Sequence, residues 1–229
     1  MIYYTLTMEE ERYLREVITR EVFIPKGKEH FVSVGGKEPE WLFDFRTVLL
    51  QPKVLRAVTN LFLKSFKDVL PFQIGGIEVA AIPLITGLVM ALSEEGHDVN
   101  AFFIRKSRKK DGFLKMIEGA VTDEKIILVD DLVNSGKSFI RQAEALASLN
   151  KKVYAVFTIL RFRDEAYYTY FHERGIKVIS LFSLDDFKDS LKVKNIVDKK
   201  DKPVPMPFIP EWCFKSERPN YFYVIPKSA

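Results

Sequence analysis

The segment Ile126–Ser138 brings two carboxylates and a turn of small residues together within one short stretch of chain. Four apolar residues that suit a buried strand precede Asp130 and Asp131, and Asn134–Ser138 forms a turn that leads into a predicted helix. Backbone N–H groups at a helix N-terminus bind phosphate, and the helix dipole favours the negative charge. Adjacent carboxylates accept hydrogen bonds from vicinal sugar hydroxyls. The segment therefore predicts a receptor for a sugar 5-phosphate.

Several other kinds of site are disfavoured. A Walker loop is excluded because its glycine-to-lysine spacing is absent. Cys213 is the only cysteine, and His30, His97 and His172 are scattered, so no zinc-ligand spacing exists. The sequence shows no Ser-His or Cys-His arrangement of the kind that an enzyme with a nucleophilic side chain would need. A purely structural role stays open for Ile126–Ser138, because Asp-Asp can cap a helix and Ser135-Gly136 is a common turn.

Two further stretches follow predicted strands. Gly76–Leu84 is a turn of mostly small and apolar residues, which an ordinary strand-to-helix connection also explains. Arg105–Gly112 is strongly basic, and such a run alone is typical of a solvated face or a nucleic-acid patch. The net charge of +4 is too mild to indicate nucleic acid by itself.

Composition places the chain among intracellular globular proteins. Its 229 residues, 47% hydrophobic and 29% charged, suffice for one α/β domain with a modest appendage. A single cysteine suits a reducing compartment, and acidic residues near the N-terminus argue against a signal peptide, so we expect a cytoplasmic protein. The longest apolar run, Val79–Leu92, is too short to span a membrane and contains Pro83.

Alternating strand-like and helix-like segments predict an α/β fold, a mainly parallel sheet flanked by helices. A capping box at Thr7 predicts a helix from there to about Val22. The predicted strands are Phe31–Val34, Trp41–Phe45, Phe72–Ile74, Asn100–Ile104, Ile126–Asp130, Val153–Leu160 and Lys177–Leu181. Further helices are predicted from Pro52 and over Ile82–Leu92, Ser138–Leu149 and Asp164–Arg174.

Ile126–Ser138 resembles the signature of the type I phosphoribosyltransferases, and over about residues 20–190 the resemblance is closest to their orotate-specific members. It implies that Gly76–Leu84 is the pyrophosphate loop, with Ala80 and Ala81 standing where glycines are usual. It also implies that residues 1–192 form the phosphoribosyltransferase domain, with residues 1–50 as a small base-binding hood. Residues 193–229, rich in proline and aromatics, then form an irregular C-terminal extension.

The same resemblance assigns the basic run and the acceptor side. Arg105, Lys106 and Lys109 match a mobile catalytic loop that closes over the neighbouring subunit's site in a dimer, with Asp111 replacing a usual histidine. Phe43 matches a base-binding aromatic, although it also suits a core position. Arg163 matches the arginine that meets the orotate carboxylate, although a surface charge is an equal alternative. Val34 replaces a usual lysine, and Phe162 replaces a usual acidic residue.

The implied activity is Mg²⁺-dependent transfer of a 5-phosphoribosyl group from phosphoribosyl pyrophosphate to a base, orotate by preference, in a homodimer. A transferase for another purine or pyrimidine, and a non-catalytic phosphoribosyl pyrophosphate-binding regulator, remain open alternatives. The implied catalytic residues are Arg105, Lys106, Lys109, Asp130 and Asp131, and the last two are also candidate Mg²⁺ ligands. The implied substrate-binding residues are Glu78, Val79, Ala80, Ala81, Asn134, Ser135, Gly136, Lys137, Ser138, Phe43 and Arg163.

Overall fold

A computed structural model describes residues 2–25, 41–105 and 116–191, and its centre is a six-stranded sheet of order β5-β4-β3-β6-β7-β8. All neighbouring strands are parallel except β4 and β5. The sheet strands are β3 (Phe72–Ile77), β4 (Ala101–Ile104), β5 (Ile117–Gly119), β6 (Lys125–Val133), β7 (Val153–Arg161) and β8 (Lys177–Ser183). The helices are α1 (Ile2–Val17), α2 (Pro52–Phe66), α3 (Ala81–Glu94), α4 (Lys137–Ala147), α5 (Thr169–His172) and α6 (Lys188–Leu191).

Two apolar layers cover the two faces of the sheet. Helices α1, α2 and α3 supply one layer, which packs on residues such as Ile127 and Phe157. Helices α4 and α5 supply the other, which packs on residues such as Ile126 and Leu128. Alternate residues of β6 thus enter opposite layers, as the period of a strand requires. The predicted α/β fold with a mainly parallel sheet is confirmed.

A two-stranded antiparallel ribbon stands apart from the main sheet. It pairs β1 (Phe23–Pro25) with β2 (Trp41–Phe43), and a π-helical turn, Ile18–Val22, connects α1 to it. The predicted strand Phe31–Val34 and the extension 193–229 lie outside the described residues. Among the described helices, none combines the length and the hydropathy needed to cross a membrane.

Several predicted boundaries differ from the structure. Strand β6 continues three residues beyond Asp130, because Leu132 and Val133 still pair with β7. Helix α1 already contains Thr7 in its interior, so the predicted capping box does not start it. The predicted helix Asp164–Arg174 is instead a 3₁₀ turn followed by the short α5. The break falls at Tyr168, whose backbone leaves the helical region while its side chain enters the core.

Candidate active site

The paired carboxylates lie in the last part of β6, at the carboxyl end of the sheet where open α/β folds bind ligands. Both side chains are only partly buried. The backbone N–H of Asp131 donates to the Oδ1 of Asp130 at 3.0 Å, and the N–H of Leu132 donates to the Oδ1 of Asp131 at 2.8 Å. These two bonds hold the carboxylates in defined orientations beside the turn that follows.

Burial raises the pKa of Asp131, and the negative charge of Asp44 adds to this rise. Hydrogen bonds from Asp130 and from backbone N–H groups oppose the rise in pKa without cancelling it. The ionised form of Asp131 is therefore held at a cost in free energy, which a metal ion or hydroxyl donors on a ligand would relieve.

The turn after β6 delivers the N-terminus of α4 to the same edge of the sheet. Gly136 has a φ of 74° and immediately precedes the helix, which begins at Lys137. A Cβ at Gly136 would lie 2.9 Å from the Phe171 ring, so both the backbone conformation and the packing require glycine there. No side chain of the described residues caps this helix, so its first N–H groups are suited to bind a phosphate.

The predicted pyrophosphate loop, Gly76–Leu84, begins within β3, the strand next to β6, and its predicted binding residues Glu78–Ala81 follow that strand. A Cβ at Gly76 would come within 2.5 Å of the Ala81 Cβ and 2.6 Å of the Val129 carbonyl oxygen, so glycine permits this close packing. The Glu78 N–H donates to the Ile104 carbonyl at 3.0 Å. The loop therefore lies beside the Asp130–Asp131 pair.

Within that loop the side chains differ in exposure. Val79 is exposed and its peptide bond with Glu78 is cis, whereas the Ala81 side chain is fully buried against the sheet. Because the whole residue is buried, the structure gives Ala81 a packing role, and its predicted contact with the ligand stays a prediction.

Arg105 follows β4, which is the other neighbour of β3. Its backbone N–H donates to the Met116 carbonyl at 2.8 Å, and its Nη1 lies 3.7 Å from Glu118 Oε1. The topology therefore places Arg105 at the same edge as Glu78. Lys106 and Lys109 lie outside the described residues, so their assignment stays a prediction.

Phe43 is almost completely buried and packs among aromatic rings. Its ring centroid lies 5.6 Å from those of Trp41 and Phe162 and 5.4 Å from that of Phe23. The Trp41 and Phe162 centroids are also 5.6 Å apart. We call Phe23, Trp41, Phe43 and Phe162 the aromatic cluster. It joins the β1–β2 ribbon to the end of β7, so Phe43 has the core role that sequence alone left open.

Arg163 immediately follows Phe162 of the aromatic cluster, and its side chain is directed toward the predicted phosphate-binding turn. Its Nε donates to the Oδ1 of Asn134 at 3.0 Å, and its guanidinium carbon lies 5.3 Å from the centre of the Tyr167 ring. The structure thus brings a residue predicted for the acceptor side into direct contact with one predicted for the donor side.

The ion pair between Asp44 and Arg46 was not identified from the sequence. The Arg46 guanidinium donates to both carboxylate oxygens of Asp44, at 2.8 and 2.7 Å, and these bonds lower the pKa of Asp44. The charge of Asp131 contributes to raising the pKa of Arg46, so the pair lies within electrostatic reach of the carboxylates. An Asp-x-Arg spacing at the end of the predicted strand Trp41–Phe45 was the available signal.

Among the described residues, no group of three or more His, Cys, Asp or Glu side chains could hold a metal ion by itself. The donor set at the site is a pair of adjacent carboxylates. Mg²⁺ typically binds proteins through one or two carboxylates and completes its coordination with ligand phosphates and water. Asp130 and Asp131 fit that mode if the ligand is a diphosphate.

The chain is similar to known phosphoribosyltransferases, although no family model matches it. The chain is 28% identical over 179 residues to the orotate phosphoribosyltransferase of Bradyrhizobium sp. (strain ORS 278), covering 76% of this chain and 95% of the relative. It is 27% identical over 191 residues to that of Pyrococcus furiosus, covering 82% of this chain and 100% of the relative.

Solved structures give the same fold. The orotate phosphoribosyltransferase of Mycobacterium tuberculosis superposes with a TM-score of 0.63 at 23% identity, covering 77% of this chain and 98% of that one. The adenine phosphoribosyltransferase of Leishmania tarentolae gives 0.57 at 12% identity, covering 77% and 89%. The predicted resemblance to the type I phosphoribosyltransferases, closest to the orotate-specific ones, is confirmed.

Proposed function

We propose that this chain transfers a 5-phosphoribosyl group from phosphoribosyl pyrophosphate to orotate, with release of diphosphate, as a step of pyrimidine nucleotide biosynthesis. The observation that carries the proposal is the end of β6, where two oriented carboxylates lead directly into the N-terminus of α4, which no described side chain caps. That arrangement suits the ribose hydroxyls and the 5-phosphate of one ligand. The similarity to orotate phosphoribosyltransferases over most of the chain supports the choice of reaction.

The donor is bound by the turn and by the two loops beside it. The N–H groups of Asn134–Ser138 hold the 5-phosphate, and Asp130 and Asp131 accept hydrogen bonds from the ribose hydroxyls. The backbone of Glu78–Ala81 lies along the diphosphate. Each of these assignments uses a group that the fold already places at the carboxyl end of the sheet.

The acceptor lies between the aromatic cluster and Arg163. The carboxylate of orotate pairs with the Arg163 guanidinium, whose planar donors match a carboxylate. Phe162, with the buried Phe43 packed behind it, limits the other side of the base and keeps water away from it. Because Phe162 replaces a usual acidic residue, this wall is more apolar than the resemblance implies.

The reaction exchanges one bond at the anomeric carbon of the ribose for another. The bond to the diphosphate oxygen breaks, a bond to a ring nitrogen of the base forms, and that nitrogen loses its proton. Positive charge grows on the ribose and negative charge on the diphosphate in the transition state. Arg105, Lys106 and Lys109 stabilise the leaving diphosphate, and the carboxylates hold the ribose in place.

We further propose Mg²⁺ as the cofactor, a homodimer as the assembly and the cytoplasm as the compartment. Mg²⁺, when bound, neutralises charge on the diphosphate, and Asp130 and Asp131 would hold it together with ligand oxygens. A homodimer suits a basic loop that acts on the neighbouring subunit's site. Sedimentation of the purified chain tests the assembly, and activity after EDTA treatment and Mg²⁺ return tests the metal.

The test of the reaction is diphosphate release from phosphoribosyl pyrophosphate and Mg²⁺ in the presence of orotate, uracil, adenine, guanine or hypoxanthine. We expect release with orotate alone. Release with a different base would keep the mechanism and replace the acceptor, for which the departures at Val34 and Phe162 give a reason. Tight donor binding without release for any base would instead indicate a regulator that senses phosphoribosyl pyrophosphate.

A further inference from the structure

Arg163 lies between the two halves of the site and is held from two sides. An arginine side chain has several rotatable bonds, so a free one samples many orientations and loses entropy when it binds a ligand. Here the side chain is partly buried at the end of the β7 segment, and two described residues fix the guanidinium. The position of its charge is therefore set before any ligand arrives.

The first contact fixes the edge of the guanidinium. The Oδ1 of Asn134 accepts a hydrogen bond from Arg163 Nε at 3.0 Å, and hydrogen bonds that involve a charged group are the stronger kind. With Nε bound to Asn134, a carboxylate approaches along the edge that carries the two Nη groups. Asn134 also belongs to the turn assigned to the 5-phosphate, so its backbone and its side chain serve different partners.

The second contact fixes the plane of the guanidinium. The Tyr167 ring lies under it at 5.3 Å, within the range of cation–π attraction. Tyr167 in turn packs edge-on against Tyr168, with ring centroids 5.6 Å apart. The Tyr168 hydroxyl donates to the Val133 carbonyl at 3.2 Å, and burial raises its pKa to about 12, so it stays a donor at neutral pH. This chain of contacts connects Arg163 rigidly to the end of β6.

We infer that Asn134 and Tyr167 are positioning residues that aim Arg163 at a carboxylate on the acceptor, and so determine the preference for a carboxylate-bearing base. The inference rests on the proposed function, which assigns Arg163 to the acceptor. It adds that the preference is set by residues that do not touch the carboxylate themselves. It also means that the segment holding the 5-phosphate orients the arginine that selects the base.

The test compares the binding of orotidine 5′-monophosphate and uridine 5′-monophosphate by isothermal titration calorimetry, because these nucleotides differ only in the carboxylate. We expect the wild type to prefer the first, and Arg163→Ala to abolish the preference. Asn134→Ala should reduce the preference about tenfold while the affinity for uridine 5′-monophosphate changes less than twofold. Tyr167→Leu should reduce it about threefold. Asn134→Ala combined with Arg163→Ala should equal Arg163→Ala alone, because both act through one contact.

Conservative and matched variants separate positioning from general damage. Tyr167→Phe keeps the ring, so it should retain the preference. Arg174→Ala is the matched control, because Arg174 also lies on a tyrosine ring, that of Tyr170 at 3.9 Å, but at the opposite end of β8. It should leave the preference unchanged.

Two outcomes overturn the inference and they are distinguishable. Equal weakening of both nucleotides by Asn134→Ala would show that this side chain supports only the phosphate turn. If the wild type shows no preference for the nucleotide with the carboxylate, the acceptor assignment of the proposed function itself is wrong. The wild type is therefore measured before any variant.

Discussion

The proposed site has a donor half and an acceptor half that meet at the carboxyl end of one sheet but are constructed differently. The donor half, Asp130–Ser138 with Glu78–Ala81, uses backbone N–H groups and two carboxylates from short continuous segments. The acceptor half, Trp41, Phe43, Phe162 and Arg163, uses side chains from segments far apart in the chain. Arg163 contacts the donor half through the side chain of Asn134, and the Phe162 backbone N–H donates to the Val133 carbonyl at 2.9 Å, so the two halves are bonded to each other.

This difference explains why one half follows a local pattern and the other does not. A phosphate site made of backbone N–H groups needs a glycine such as Gly136 and a helix start, and both are visible within a few residues. A wall of aromatic rings needs only apolar side chains of suitable size, which core positions also use. Variants of the donor half should therefore lower turnover with every base, whereas variants of the acceptor half should change the choice of base.

The largest effect is expected for Lys106→Ala in the basic loop. Loss of a cation that stabilises the leaving diphosphate should lower kcat on the order of 10²- to 10³-fold, with the fold unchanged by circular dichroism. Lys110→Ala, in the same basic run without an assigned role, is the control and should change kcat little. An unchanged rate for Lys106→Ala would remove this residue from the donor half.

Asp131→Asn should lower kcat/KM for phosphoribosyl pyrophosphate on the order of tenfold to hundredfold, because the amide replaces a charged hydrogen-bond acceptor of the ribose. The same variant should be more stable than the wild type at pH 7. Burial raises the pKa of Asp131 in the folded protein, so its contribution to stability falls as pH rises above the unfolded value of about 3.9.

Thermal melts between pH 3 and 8 check that prediction, and the gain in stability should disappear at the acidic end. Asp123→Asn is the matched control, since this carboxylate precedes the same strand at its other end and pairs with Lys151. It should leave kcat/KM unchanged. A loss of stability at pH 7 in Asp131→Asn would contradict the cost assigned to its charge.

Gly136→Ala should destabilise the fold by about 1–2 kcal/mol and weaken donor binding by about tenfold or less. The φ of 74° disfavours alanine, and its Cβ would lie 2.9 Å from the Phe171 ring. Gly175→Ala separates these two causes, because Gly175 has a φ of 66° with no atom near the added Cβ. Chemical denaturation measures the stability of both variants. Equal losses of stability would mean that the contact with Phe171 adds nothing to the effect of the backbone conformation.

Phe162→Asp restores the acidic residue that the resemblance leads one to expect and tests the acceptor half. It removes ring contacts with Trp41 and Phe43, each worth about 0.5–1.5 kcal/mol, so stability should fall by about 1–3 kcal/mol. The KM for the base should rise several-fold while the KM for phosphoribosyl pyrophosphate stays constant. Phe162→Leu keeps an apolar side chain and should lose less folding stability than Phe162→Asp. Equal changes in both KM values would mean that the two halves are not separable.

The sequence was sufficient for the fold and for the strand–turn–helix order around Ile126–Ser138, because that order and the hydrophobic period are local properties. It missed that β6 continues to Val133, since only pairing with β7 extends a strand past two carboxylates. It predicted a continuous helix after Asp164, because the inward turn of Tyr168 depends on a hydrogen bond to β6. The contact of Arg163 with Asn134 joins segments that no periodicity connects.

The smallest effect is expected for Arg46→Ala, which removes the ion pair with Asp44 beside the carboxylates. The hydrogen bonds from Arg46 lower the pKa of Asp44 in the folded state. The contribution of this pair to folding stability is therefore fully present above the unfolded pKa of about 3.9, and it is lost as pH falls through the folded-state pKa. Stability should therefore decrease by about 0.5 kcal/mol at pH 7, with no difference from the wild type at low pH. Arg56→Ala, which removes the exposed pair with Glu94 away from the site, is the control for losing a surface arginine.

Arg46→Ala also tests whether the hood acts electrostatically on the donor half. Without Arg46, the negative charge of Asp44 would face Asp131 unbalanced, and the pKa of Asp131 should rise further. The acidic limb of the pH profile of kcat/KM should then move to higher pH, whereas Arg56→Ala should leave it in place. An acidic limb that does not move would mean that Asp44 and Arg46 only stabilise the segment after β2, and that the two halves communicate through Arg163 and Asn134 instead.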